Sequence, residues 1–206
     1  MPVNAVIFDI GNVLIEWQPE TYFDSVIGAD ARRSMFDAVD LHAMMDRIDA
    51  GSDFASEVAR TAAAYPDWQQ EILHFRDHWS DMARPAIPHS VRLLAALKTR
   101  GVPVFALSNF GAQNFPISAA AFPFLGTFDR TYVSGRMGMK KPDPAIYAAV
   151  EADCGLSPDT LLFTDDRTEN IATAAERGWQ VHLFDGAPGF AQCLIAAGLL
   201  SKGEAA

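Results

Sequence analysis

Several short apolar runs in this chain end in residues able to do chemistry. Asp9 follows Ala5-Val6-Ile7-Phe8 and precedes Gly11, Ser108-Asn109 follow the run from Val102 to Leu107, and Asp165-Asp166 follow Leu161-Leu162-Phe163-Thr164. Lys141 stands just before Pro142-Asp143-Pro144, a rigid turn. A carboxylate at the end of an apolar run needs a reason, because burying an unpaired charge is costly. An isolated Asp-x-Gly is more often a cap or turn aspartate; the functional alternatives for Asp9 are a nucleophile or a metal ligand. Neighbouring carboxylates such as Asp165 and Asp166 repel and raise one another's pKa. A hard divalent cation removes that repulsion, and Mg²⁺ accepts a sparse oxygen shell completed by water. The competing reading is an N-cap for the next helix, supplied by Asp166 or Thr168. Lys141 is a solvated surface charge or, beside an acidic cluster, balances charge and holds a phosphoryl oxygen. Ser108 and Asn109 add uncharged donors, or are turn residues.

The elements that must position these residues follow from pattern. Val6–Phe8 is β-branched and aromatic, too short for a helix, and reads as a buried strand. Val102–Leu107, Leu161–Phe163 and Gln180–Phe184 read the same way, and Thr131–Val133 as a short strand. Between them lie helical patterns at Ser90–Arg100, closed by Gly101, and at Glu169–Arg177, closed by Gly178. A helix from Pro144 to about Asp153 has Asp143 as N-cap and proline at its first position, where no N–H is needed. Phe190–Leu200 is the last helix. Gln113–Phe122 is irregular, interrupted by Pro116, and Gly135–Lys141 reads as a loop. Strands alternating with helices from Pro88 onward predict an α/β fold, a Rossmann-like parallel sheet flanked by helices. Strand carboxyl ends share one edge of such a sheet, so Asp9, Ser108-Asn109 and Asp165-Asp166 should converge there.

The segment after the first strand differs. Glu16–Glu20 reads as a loop, and no strand is evident up to about Met82. About four helices are predicted instead, with Asp49-Ala50-Gly51-Ser52 as a stop signal and Ser52 or Asp53 capping Phe54–Tyr65. The aromatic and methionine residues here read as core.

Composition bounds the function classes. The 206 residues are 50% hydrophobic and 20% charged, with a formal net charge of −10. That balance argues against non-specific nucleic-acid binding and against anionic membranes, so a phosphate-bearing ligand must meet a local cation or helix N-termini. Cys154 and Cys193 have no metal-like spacing, which suits a reducing, cytoplasmic setting. Asp9 interrupts the only early apolar stretch, so no signal peptide is expected, and no run approaches a membrane span. A monomer or weak homodimer is expected, with Ser201–Ala206 frayed.

In order along the chain, Phe8-Asp9-Ile10-Gly11-Asn12-Val13-Leu14, Leu107-Ser108-Asn109, Lys141-Pro142-Asp143-Pro144-Ala145-Ile146-Tyr147, and Asp165-Asp166 with Asn170 resemble the four motifs of the haloacid dehalogenase-like hydrolase superfamily. The resemblance covers almost the whole chain. It implies a catalytic core at 1–15 and 86–206 with a small helical cap at 16–85. It implies that Asp9 is the nucleophile that becomes an aspartyl phosphate. Mg²⁺ would be held by Asp9, the Gly11 carbonyl and Asp166, with Asp165 behind it. Ser108, Asn109 and Lys141 would bind the transferred group, Lys141 also pairing with Asp9. One position departs: the family's phosphatases usually carry a second aspartate two residues after the nucleophile, as general acid and base, and here that position is Gly11. Halide needs no proton on leaving, so the gap is also similar to the family's 2-haloacid dehalogenases, although those carry an aromatic residue there and use no metal. The Asp-x-Gly-Asn-Val form resembles the glucose-1-phosphatase type, whose anomeric phosphate has a comparatively good leaving group. The expectation is a Mg²⁺-dependent phosphatase for a small, sugar-phosphate-like metabolite. The alternatives are a 2-haloacid dehalogenase, or a catalytically weakened member that binds a phospho-ligand or partner.

Overall fold

β1 (Ala5–Phe8) is buried at every position, as its unbroken apolar run requires. The computed structural model describes residues 2–206. After β1 a tight loop leads to β2 (Ile15–Trp17), and six α-helices follow: α1 (Pro19–Ile27), α2 (Ala29–Ala38), α3 (Leu41–Asp49), α4 (Phe54–Ala64), α5 (Gln69–Asp77) and α6 (Trp79–Met82). β3 (Ala83–Ala86) then returns beside β2. The remainder is α7 (Pro88–Thr99), β4 (Val104–Ser108), α8 (Asn114–Ala121), β5 (Arg130–Val133), α9 (Ser134–Met137), α10 (Pro144–Cys154), β6 (Leu161–Asp165), α11 (Thr168–Glu176), β7 (Gln180–Leu183) and α12 (Ala187–Ala196).

The main sheet has five strands in the order β5-β4-β1-β6-β7, and every pairing in it is parallel. This is the α/β, Rossmann-like arrangement expected. Alternate residues of β1 face opposite layers: Ala5 and Ile7 pack with Tyr147, Phe163 and Trp179, while Val6 and Phe8 join Leu94, Leu97, Phe190 and Leu194. The second layer is continuous with the apolar side chains of α1–α6, including Phe23, Met44 and Phe75. Among the described residues, no helix is long and apolar enough to cross a membrane.

Several local expectations changed. β2 and β3 form a two-stranded antiparallel ribbon with a register shift, where a loop was expected. These strands are only three and four residues long, and Pro85 can sit in one because a two-stranded ribbon leaves an edge free. Pro116 does not break α8; it is the third residue of that helix, within the first turn, whose N–H groups have no helical partner. Ser134–Met137 is a helical turn rather than loop. The tail is not frayed as expected: Ala205 is buried and its carbonyl lies 2.9 Å from His89 Nε2. Asp53 caps α4 and Asp143 caps α10, each accepting a backbone N–H.

Candidate active site

The parallel register brings the expected strand ends together. Phe8 pairs with Ala106 on one side and Thr164 on the other, so Asp9, Ser108 and Asp165 emerge at one edge. Asp9 is only 7% exposed. Its Oδ1 accepts from the Ile10 N–H at 2.7 Å and from Ser108 Oγ at 2.7 Å, and faces Lys141 Nζ at 3.1 Å. Among the described residues nothing donates to Oδ2. Asp9 lines a cavity of about 300 Å³. Burial pushes the Asp9 carboxyl up to about 6, opposed by the Lys141 charge and reinforced by that of Asp165.

Lys141 is buried and fixed on three sides. Nζ donates to Asp165 Oδ2 at 2.6 Å and to the Leu107 carbonyl at 2.9 Å, and lies 5.3 Å from the Phe163 ring centroid. Burial works against its charge, but Asp9 and Asp165 outweigh burial and hold the ammonium above the usual lysine range. It is therefore a permanent cation beside Asp9. Asn109 is spent on holding it: Nδ2 donates to the Lys141 carbonyl and Oδ1 accepts the Lys141 N–H, both at 2.8 Å. Its side chain reaches a ligand only if this pair opens.

The two neighbouring acids differ. Asp165 is fully buried and accepts from the Arg167 N–H, from Asn170 Nδ2 at both oxygens, and from Lys141. Asp166 is half-buried and accepts from Asn12 Nδ2 at 3.1 Å. Neither Asp166 nor Thr168 caps α11; the N-cap is Arg167, with no side-chain bond. One oxygen each from Asp9, Asp165 and Asp166 lie within 4.8 Å of one another, and no described residue donates to the Gly11 carbonyl. An all-oxygen, carboxylate-rich set with a free carbonyl fits a hard divalent cation better than zinc or copper.

Sequence reasoning passed over three residues here. Asn12 adopts φ 54°, a left-handed conformation that asparagine tolerates better than most residues. Its Oδ1 accepts the Trp17 N–H at 3.0 Å, so one side chain ties β2 to Asp166. An asparagine directly after glycine, as in Gly11-Asn12, is a weak but usable sequence signal of such a turn. Trp17 and Asp49 also line the cavity, and nothing local marks either of them.

A family model described as haloacid dehalogenase-like hydrolase matches residues 3–178. The chain belongs to the haloacid dehalogenase-like hydrolases. The sesquiterpene phosphatase astK of Aspergillus oryzae is 26% identical over 197 residues, 88% of this chain and 90% of the relative. Drimenol cyclase drtB of Aspergillus calidoustus is 30% identical over 81 residues, 39% of this chain, which spans only 15% of that relative. Among solved structures, the complex of the HAD family enzyme bt-2542 of Bacteroides thetaiotaomicron with magnesium and inorganic phosphate is 25% identical, with a TM-score of 0.66 over 87% of this chain and 93% of that one. The protein is thus a hydrolase of this family.

Proposed function

We propose that the protein is a Mg²⁺-dependent phosphatase that hydrolyses a small phosphomonoester through an aspartyl phosphate on Asp9. The observation that carries this is the asymmetric carboxylate of Asp9: three donors orient Oδ1 and leave Oδ2 free on the cavity. A carboxylate held that way is aimed rather than merely buried. Support comes from astK, named as a phosphatase over nearly the whole chain, and from the magnesium and phosphate complex of bt-2542.

Oδ2 of Asp9 would attack phosphorus in line, and the ester oxygen would leave. Lys141, held by Asp165, Leu107 and Asn109, would balance charge on the phosphoryl oxygens without moving. Ser108 keeps Asp9 oriented, and its hydroxyl would have to turn from Asp9 to donate to the transferred group. Asp9, the Gly11 carbonyl and Asp166 would hold Mg²⁺, with Asp165 behind them as the anchor of Lys141. Bound there, the ion would supply Lewis-acid stabilisation of negative charge at phosphorus. Residues 16–85 would act as a cap over a core of 1–15 and 86–206, excluding water and choosing the substrate.

The substrate body is the point where the cavities favour a different reading from the sequence. A second cavity of about 420 Å³ lies among the cap helices and shares Trp17, His42 and Met45 with the first. Phe36, Tyr65 and Phe75 line it together with the carboxylates Asp37 and Asp40, and no lysine or arginine does. A sugar needs paired donors and acceptors around it, because unmet polar groups are costly to bury. The aromatic side of this cavity suits an apolar body behind the phosphate, the class named for astK.

A phosphoester panel spanning sugar phosphates and prenyl or alkyl monophosphates, run with Mg²⁺ and with chelator, tests the reading. At least one ester should turn over only with Mg²⁺, the apolar-bodied esters best, and Asp9→Asn should abolish turnover. Activity that survives Asp9→Asn would falsify the mechanism. Halide release from 2-haloacids in chelator would point to a dehalogenase, and stabilisation by phospho-ligands without turnover to a weakened binding member.

A further inference from the structure

The phosphatase reading leaves one chemical role unfilled. Position 11 is glycine, and a Cβ built there meets nothing within 4 Å, so the place of a general acid is empty space. We infer that Asp49, carried by the helical insertion at the end of α3, supplies the acid and base missing at Gly11.

Asp49 lines the same cavity as Asp9, Ser108 and Lys141. Every other carboxylate on that cavity is engaged. Glu16 accepts from Gln18, Asp46 pairs with Lys140 at 2.6 Å, Asp166 accepts from Asn12, and Asp9 is bound as described. Among the described residues lining the cavity, Asp49 is the one carboxylate without a hydrogen bond or ion pair, and its Oδ1 is sealed from solvent. A buried polar atom left unpartnered in a native fold calls for an explanation: Oδ1 desolvates the carboxyl, and Oδ2, equally without a partner but not sealed, is the oxygen that can meet a substrate in the cavity.

The end of α3 is also held rigidly against the sheet edge. Gly51 approaches the turn of α9 so closely that a Cβ there would stand 3.2 Å from the Gly135 carbonyl oxygen. Ile48 packs where a Cβ on Gly111 would meet its Cγ2 at 2.5 Å. Lys140, next to Lys141 in the chain, ties down Asp46 one turn before Asp49. These three contacts connect the end of α3 to the loop that follows Ser108 and to the segment that carries Lys141. A catalytic group must be fixed in this way.

Burial raises the Asp49 carboxyl to about 7, Asp46 and Asp9 adding to the rise and Lys140 and Lys141 opposing it. His42 lines the cavity from α3 itself, and Asp166 and Arg167 from the segment after β6. A carboxyl poised near neutrality can serve both half-reactions. In the first, Oδ2 of Asp9 bonds to phosphorus, the phosphorus–ester oxygen bond breaks, and the departing oxygen takes the Asp49 proton. In the second, Asp49 carboxylate takes a proton from water as the water oxygen bonds to phosphorus. The bond to Asp9 then breaks, which returns the carboxylate and releases orthophosphate.

The test compares an alkyl phosphate, whose leaving alkoxide needs a proton, with p-nitrophenyl phosphate, whose phenolate does not. In Asp49→Asn, kcat/KM for the alkyl ester should fall about 100-fold and for the nitrophenyl ester less than about tenfold. The alkaline limb of the wild-type alkyl-ester pH profile should flatten in the variant. Gly11→Asp placed in the Asp49→Asn background should recover at least about tenfold on the alkyl ester. A wild type that hydrolyses neither ester overturns this inference together with the phosphatase reading. An active wild type whose Asp49→Asn variant loses both esters equally, or neither, overturns the assignment of Asp49 alone.

Discussion

Asp9 and Asp49 are both raised carboxyls, but their surroundings divide the labour. Asp9 has a fixed cation and two further donors on one oxygen, so it can be ionised and aimed at once. Asp49 has no partner at all, so burial works on it unopposed by any hydrogen bond. The consequence for stability has a definite sign. The unfolded chain loses the Asp49 proton near 3.8, whereas the folded protein keeps it until about 7. Between those values each rise in pH disfavours the fold through this group. One pKa unit corresponds to about 1.4 kcal/mol, so the penalty above pH 7 is at most about 4 kcal/mol. Asp49→Asn should therefore raise Tm, with an advantage over wild type that grows from about pH 4 to about pH 7 and is flat beyond. Thermal denaturation across that range checks it; a Tm difference that does not change with pH would mean that Asp49 titrates like an ordinary surface acid.

At the scale of elements, short connections hold the site together. Ser134 at the start of α9 accepts the Phe110 N–H at 2.9 Å, and the Gly135 N–H donates to the Phe110 carbonyl at 3.0 Å. A Cβ on Gly135 would stand 2.6 Å from the Ala112 nitrogen and 2.9 Å from the Phe110 oxygen. Both are backbone atoms, which cannot rotate away. Gly135→Ala should destabilise the protein by about 1–3 kcal/mol, measured by urea denaturation. It should also lower kcat, because the turn of α9 touches both the loop after β4 and the end of α3. Loss of activity without loss of stability would show that the close packing is not what matters there. The same scale marks where sequence pattern was informative. Asp143 was legible as a cap, and Asp53 as one of two candidates with Ser52, since an acceptor before an apolar helical pattern has few other uses. The β2–β3 ribbon was not, because its strands carry too few residues for a period and one contains Pro85.

For the whole molecule, the formal charge of −10 sets a long-range field that opposes an anionic substrate. Lys141 answers it only at contact distance. Raising ionic strength from about 20 to about 200 mM shortens the screening length from roughly 20 Å to below 10 Å. At constant Mg²⁺, KM for a phosphoester should therefore fall by about two- to threefold, while an unchanged or rising KM would show that the local cation dominates capture. Folding is also a matter of the whole chain. The apolar side chains of α1–α6 merge with one face of the sheet into a single cluster, so the insertion and the sheet edge beneath it are packed as one body.

The sequence by itself determined the α/β class, the strands that carry Asp9, Ser108 and Asp165, and their convergence. Each of these follows from local apolar runs and from a parallel sheet having its carboxyl ends on one edge. The contacts that make the edge into a site span far larger separations: Asn12 with Asp166, Asn109 with Lys141, and Asp46 with Lys140. Periodicity and capping report only on neighbours in the chain, so none of these pairs leaves a local mark. Asp49 is the sharpest case. In the sequence it stands in a helix stop, beside glycine and serine. Only the docking of α3 on the sheet edge makes it an unpartnered carboxyl on the cavity that Asp9 also lines, because burial and the absence of a partner are properties of the packed molecule.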